Sequence, residues 1–253
     1  MAINKKKRKR IILLAILAAV LIIIGACAVW LATYYRADMD AIVSYSDDHL
    51  SSVVQDTLEN GDIAFMSTAE PEYGIIFYPG ARVEHTAYIP LMKKLAEDGI
   101  LTYISRMPLN LALLDMNAAE NALRRYPGVE HWYLAGHSMG GVAAAKYLAH
   151  DPGRFDGLIL LAAYSADDLT GTDLKVLSVC GSEDGVMNWE KYKDSLSNLP
   201  DGHLEYVIDG GCHAYFGMYG RQSGDGEPRI TNVEQLDMTR EIIRGFVLGD
   251  EQD

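Results

Sequence analysis

The sequence predicts an α/β protein: a mostly parallel sheet with helices on both faces, preceded by one transmembrane helix. Short apolar runs alternate with helical patterns of 10–15 residues, the signature of βαβ units. Those runs are nearly continuously apolar, as strands covered on both faces should be. At the N-terminus an uncharged apolar stretch, Ile11 to Ala32, follows a basic cluster.

That first stretch holds 22 residues with no strongly polar side chain. As a helix it would be roughly 33 Å long, enough to cross a hydrocarbon core of ~30 Å. Lys5, Lys6, Lys7, Arg8, Lys9 and Arg10 precede it, and Trp30, Tyr34 and Tyr35 lie at its far end. The charges place the N-terminus in the cytoplasm and the aromatic residues anchor the outer side. The reading is a basic cytoplasmic segment over 1–10, a single-pass signal-anchor over 11–32 and a juxtamembrane helix or stalk over 33–59. The globular domain, 60–253, then sits outside the cell membrane. Two alternatives also export it. A cleaved signal peptide has a shorter apolar core. Ile24-Gly25-Ala26-Cys27 resembles a bacterial lipobox, in which Cys27 would be lipidated.

Beyond the anchor, strands are predicted at Tyr73–Tyr78, Ile100–Ser105, His131–Ala135, Gly157–Ala163, Lys175–Cys180 and Leu204–Ile208. Helices are predicted at Thr86–Asp98, Asp115–Tyr126, Met139–His150, Trp189–Leu199 and Val233–Leu248. Pro127-Gly128 and Pro200 end two of them. No repeat or low-complexity linker interrupts the series, so one domain is expected.

Charge excludes one class of partner. The chain carries 22 basic and 35 acidic residues, a net charge of −13. Six of the basic residues lie before Ile11, so the rest holds 16 basic and 35 acidic side chains, or −19. Such a body repels phosphate, and no nucleic-acid partner is expected. Three cysteines make no disulfide framework, and no Cys/His spacing fits zinc. No metal and no cofactor are expected.

The chemistry lies in Gly136-His137-Ser138-Met139-Gly140-Gly141, between a predicted strand and a predicted helix. G-x-S-x-G in that setting is a nucleophile elbow. A serine on so sharp a turn needs small neighbours two residues away on each side, which Gly136 and Gly140 supply. The helix that follows aims its free N–H groups at a developing oxyanion. Ser138 needs a base and the base needs an orienting acid. Of seven histidines, His213 follows the last strand in Asp209-Gly210-Gly211-Cys212-His213, where glycines let the loop fold over the sheet edge. Asp184, in Gly181-Ser182-Glu183-Asp184-Gly185, follows the penultimate strand and gives the order Ser…Asp…His. Glu183 and Asp209 are the competing acids. The predicted oxyanion donors are the backbone N–H groups of Met139 and Ala81, with Arg82 the alternative to Ala81.

Gly136–Gly141, Asp184 and His213 on this alternation resemble the α/β-hydrolase superfamily. Tyr78-Pro79-Gly80, Met107-Pro108-Leu109, Tyr126-Pro127-Gly128-Val129 and Gly211-Cys212-His213-Ala214-Tyr215-Phe216-Gly217 narrow the likeness. So do Tyr219-Gly220, Gln222 and Gly224-Asp225-Gly226. Together they resemble a bacterial alpha/beta hydrolase domain branch with dienelactone-hydrolase-like proportions, over about residues 60–248. The resemblance implies the α/β-hydrolase fold and hydrolysis of a carboxylic ester or related acyl bond through an acyl-enzyme. The partner it implies is a small-molecule or lipid acyl ester. Many lipases insert a cap before the strand at 175. Here only Tyr164 to Asp173 is available, so no sizeable cap and a shallow open pocket are expected. Met107, Pro108 and Leu109, with Tyr215 and Phe216, are candidates for its apolar wall.

The leading reading is a membrane-anchored serine esterase. Its rivals are an acyltransferase using the same triad and a non-catalytic binding domain on a hydrolase scaffold. Oligomeric state is not legible. Cys180 and Cys212 lie at the ends of neighbouring predicted strands. Either they bridge and tie the acid loop to the base loop, or they are two buried thiols.

Overall fold

In the computed structural model, which describes residues 5–46, 53–67 and 70–249, eight strands form one sheet. They are β1 (Val54–Thr57), β2 (Ile63–Met66), β3 (Tyr73–Tyr78), β4 (Leu101–Ile104), β5 (His131–His137), β6 (Gly157–Leu161), β7 (Lys175–Gly181) and β8 (Leu204–Ile208). Their order is β1-β2-β4-β3-β5-β6-β7-β8. The six predicted strands are parallel. β1 and β2 extend the sheet antiparallel beyond β4.

Alternation along the buried strands builds two cores. Ile75, Phe77, Tyr133, Ala135, Ile159, Leu161, Leu177 and Val179 face one side. Ile76, Tyr78, Leu134, Leu158, Leu160 and Val176 face the other. Successive side chains of a strand point to opposite faces, so an unbroken apolar run supplies both. The first face is covered by α2 (Met39–Ser46), α3 (Ile89–Glu97) and α7 (Asn232–Leu248), and the second by α4 (Ala119–Arg125) and α5 (Met139–His150). A smaller cluster joins α6 (Trp189–Ser195) to β7. The segment between β6 and β7 holds no helix, so no cap domain is inserted there.

Two helices start later than the pattern predicts. A 3-10 turn, His85–Tyr88, precedes α3, whose second residue is Pro90. Proline has no N–H to give to the preceding turn, so the α-helix starts afresh there. A second 3-10 turn, Met116–Ala118, precedes α4. The last helix is set by Thr231, whose hydroxyl accepts the Glu234 N–H while Glu234 reaches back, a complete capping box.

The stretch expected as a juxtamembrane stalk, 33–59, is largely part of the domain. The compact unit begins at Tyr35. Tyr35 N–H donates to the Arg82 carbonyl at 2.7 Å, and the Glu84 N–H donates to the Tyr35 carbonyl at 2.9 Å. Ile42 of α2 is buried in the first core, and β1 lies at the sheet edge. α2 is only eight residues long and β1 reads Val-Gln-Asp-Thr, so neither carries a clear apolar period. Residues 47–52 of that stretch, with His49, and residues 1–4 of the basic segment lie outside the described residues.

The N-terminal unit is a single helix, α1 (Lys5–Ala32). Its Lys7–Trp30 portion has mean hydropathy 3.2 and is long and apolar enough to cross a membrane.

The last residue of β5, His137, is fully buried. Burial drives its pKa well below 6.5; the nearby His213 adds to this, and a hydrogen bond to the His213 carbonyl opposes it. The unfolded chain therefore binds a proton below about pH 6.5 that the folded chain refuses, and stability falls as pH drops through that window. The slope is at most ~1.4 kcal/mol per pH unit for one histidine. His85, also lowered by burial, acts with the same sign. Denaturant midpoints should decline from pH 7 to pH 5, and less steeply in His137→Gln. An identical decline in both proteins would contradict this.

Candidate active site

The elbow has the strain that the sequence demanded. Ser138 sits at φ 53°, ψ −125°, between the end of β5 and the first residue of α5. A non-glycine residue there costs about 1–3 kcal/mol and persists only where its surroundings dictate it. The Ser138 N–H donates to the Leu161 carbonyl at 2.9 Å. A Cβ on Gly140 would collide with the Tyr78 and Pro79 carbonyl oxygens, and one on Gly136 would lie 2.5 Å from Gly141 N. The two glycines let α5 cross the ends of β3 and β5 at backbone contact. Ser138 remains partly exposed.

Asp184 and His213 come together from the loops after β7 and β8. His213 Nδ1 lies 2.7 Å from Asp184 Oδ2, and both side chains are buried. The carboxylate accepts, so Nδ1 carries the proton and Nε2 presents a lone pair. That Nε2 is buried and has no hydrogen-bond partner among the described residues, Ser138 Oγ included. The other carboxylate oxygen of Asp184 accepts the Val186 and Met187 N–H groups, each at 2.8 Å, which fixes its plane. Asp184 does not cap α6; Asn188 does, accepting from the Lys191 N–H at 3.0 Å. The competing acids are engaged elsewhere: Glu183 and Asp209 both pair with Arg229 at the surface.

The two loops are held by groups whose role the sequence did not suggest. Asp225 accepts the N–H groups of His213 (3.2 Å), Ala214 (2.8 Å), Gly185 (3.2 Å) and Gly226 (2.9 Å). One carboxylate thus spans the residue after the acid and the backbone of the base. The buried Gln235 of α7 clamps Cys212 by both backbone groups, at 2.9 and 2.8 Å. Of the two readings of Cys180 and Cys212, the structure has the buried thiols and not the bridge: both are free and buried. Cys180 packs on Met187, its Sγ 3.9 Å from Sδ, while Cys212 lies in the first core. Burial pushes both thiols up to about 12.

Hydrogen bonding distinguishes the Ala81 and Arg82 N–H groups. The Arg82 N–H donates to the Asn110 carbonyl at 2.8 Å, with Arg82 at φ 58° and Asn110 at φ 55°. The Gly80 N–H donates to the Tyr88 hydroxyl. Ala81 N–H has no partner among the described residues. Met139, as the first residue of α5, has no intrahelical acceptor for its N–H.

Of the residues expected to form an apolar wall, two belong to the cores. Met107 and Phe216 are buried in the two cores, so their side chains are packing. Phe216 faces inward because its 3-10 turn, Ala214–Phe216, lays its ring 5.8 Å from that of His137. Leu109 is 56% exposed at φ 53°, and Tyr215 is half-buried.

His137 is buried and bonded at both nitrogens, to the Tyr88 hydroxyl (2.8 Å) and the His213 carbonyl (3.0 Å). The second contact puts the base loop directly against the residue before Ser138.

Comparison with known proteins agrees with this architecture. A family model described as the alpha/beta hydrolase family matches residues 74–237, from β3 into α7. The fold is similar to that of a predicted CIB-like hydrolase from Thermoplasma acidophilum. That likeness has 21% identity and a TM-score of 0.53, and covers 76% of this chain and 98% of the other. No curated protein matches. With well over half of its length matched and the strand order and elbow in place, the chain belongs to the alpha/beta hydrolase family.

Proposed function

We propose that this chain is a membrane-anchored serine hydrolase that cleaves a carboxylic ester through an acyl-enzyme. The observation that carries the reading is the His213–Asp184 pair, with the second imidazole nitrogen buried and unpaired in a loop bonded to the elbow. Ser138 Oγ attacks the acyl carbonyl carbon while His213 Nε2 takes the hydroxyl proton. The oxyanion accepts hydrogen bonds from the Ala81 and Met139 N–H groups. The ester C–O bond then breaks and His213 returns the proton to the departing alkoxide. Water attacks the acyl-serine with His213 again as base, and the carboxylic acid leaves. Asp184 stays ionised throughout, orienting the ring and balancing its charge.

Leu109 is exposed and Tyr215 half-buried, and both are assigned to the wall of the proposed pocket, with no helix inserted between β6 and β7 to cover it. Such a site favours short acyl groups. The N-terminal helix supports anchoring, with its basic end in the cytoplasm and the hydrolase domain on the extracytoplasmic side.

Ser138→Ala should lower p-nitrophenyl butyrate hydrolysis by ~10⁴-fold or more, because the triad acts as a unit. A fluorophosphonate should label wild type at Ser138 and leave His213→Ala unlabelled. Activity of Ser138→Ala within tenfold of wild type would refute the assignment.

Asp225→Ala removes the acceptor of four N–H groups at once. It should lower kcat by tenfold or more and lower stability by about 1–3 kcal/mol. Unchanged turnover would mean that the acid and base loops hold their places without it.

For topology, a reporter fused after Asp253 should be active only if of the export-dependent kind. Cys27→Ser should stay in the membrane fraction. Its release to the soluble fraction would favour a lipid anchor.

A further inference from the structure

A buried chain of hydrogen bonds runs behind the site, and nothing in the proposed reaction uses it. The Gly80 N–H donates to Tyr88 Oη at 3.1 Å, and Tyr88 Oη lies 2.8 Å from His137 Nδ1. His137 Nε2 lies 3.0 Å from the His213 carbonyl oxygen. That oxygen can only accept, so Nε2 carries the ring proton. Nδ1 of the neutral ring is then an acceptor, and the Tyr88 hydroxyl must donate to it. Every direction along the chain is fixed: Gly80 N–H to Tyr88, Tyr88 O–H to His137, His137 N–H to His213.

Its ends are the two loops that the chemistry depends on. Gly80 precedes Ala81, whose N–H is the proposed oxyanion donor, and His213 is the proposed base. Tyr88 and His137 are fully buried, so no water replaces a lost link cheaply. Position 80 also accommodates the chain. A Cβ there would lie 2.8 Å from His137 Nδ1 and 3.0 Å from Tyr88 Oη.

We infer that Tyr88 and His137 are positioning residues that form one strut, setting the oxyanion donor at Ala81 against the base at His213. The inference rests on the serine-hydrolase reading above. Both loops act on the transition state and neither holds the ground-state substrate, so loss of the strut lowers kcat and leaves KM alone.

The test uses the full-length chain in detergent micelles with p-nitrophenyl butyrate. Tyr88→Phe keeps the ring and deletes the hydroxyl. It should lower kcat about 10- to 100-fold, with KM within twofold of wild type. His137→Phe should do the same. The double variant should cost no more than the worse single one, because either change breaks the same chain. His137→Gln, which keeps a donor toward the His213 carbonyl, should recover part of the loss. Turnover of Tyr88→Phe within twofold of wild type, or losses that multiply in the double variant, would overturn the strut. An inactive wild type that no fluorophosphonate labels would instead refute the hydrolase reading. One measurement does not depend on any variant folding. Ring-nitrogen NMR of wild type should find His137 as the Nε2–H tautomer and without titration from pH 5.5 to 8. The Nδ1–H tautomer, or a titration near pH 6.5, would equally overturn the inference.

Discussion

The left-handed backbone of Ser138 is the constraint on which the rest of the site is hung. That conformation is paid for by contacts of other elements. Leu161 at the end of β6 accepts the Ser138 N–H, and Gly140 lies against the carbonyls of Tyr78 and Pro79 at the end of β3. Gly141 is equally confined, since a Cβ there would lie 2.5 Å from the Ala163 Cβ. α5 is thus pressed into three strand ends at once, and only backbone at 136, 140 and 141 allows it. Because Pro79 leads directly into Gly80 and Ala81, the same crossing sets where the oxyanion loop begins. A looser elbow would displace Ser138 and the loop of the proposed oxyanion donor together.

The acid and base loops lie beyond the reach of that crossing and are fastened separately. A disulfide between Cys180 and Cys212 would have been a covalent way to do it, but the thiols lie in different clusters of the core. Hydrogen bonds to backbone do the work. Asp225 gathers N–H groups from both loops, and the Gln235 amide meets both backbone groups of Cys212. A buried amide serves well there, since it offers one donor and one acceptor to a peptide that needs both. The base is therefore placed through its backbone from two sides, and its ring is left free to respond to Asp184 and Ser138.

Much of the fold is legible in the sequence. β3 to β7 are nearly continuous apolar runs, and such runs have one stable use, the middle of a covered sheet; β8, at the sheet edge and carrying Glu205, is legible from its place in the alternation instead. That Asp184 and His213 meet is legible because each is a chemical type in a loop at the carboxyl end of a strand. β1 and β2 were not, because strands of four residues at an antiparallel edge have little period to show. The pocket residues Met107 and Phe216 failed for a related reason: apolar residues near a site look the same in sequence whether they line a cavity or pack beneath it. Asp225 stood in a noticed Gly-Asp-Gly run, yet its four backbone partners are scattered over three turns. His137 precedes Ser138 in the motif, but its partner Tyr88 lies 49 residues away in sequence and nothing local links them.

Two imidazoles face each other in this site, their ring centroids 4.7 Å apart, and the proposed chemistry requires only one to take a proton. Burial and the neighbouring His213 both hold His137 neutral, and its two nitrogens are already committed. His213 faces the carboxylate of Asp184, which has two backbone N–H groups on its other oxygen and so cannot turn away. In the proposed reaction the positive charge that forms as Ser138 attacks then has a single place to reside, beside its counter-charge. A second basic imidazole at that distance would compete for the proton and, once charged, repel the catalytic ring. In the proposed reaction, burying His137 therefore removes a competing base at the cost of acid stability, and this makes a histidine tolerable directly beside the proposed nucleophile.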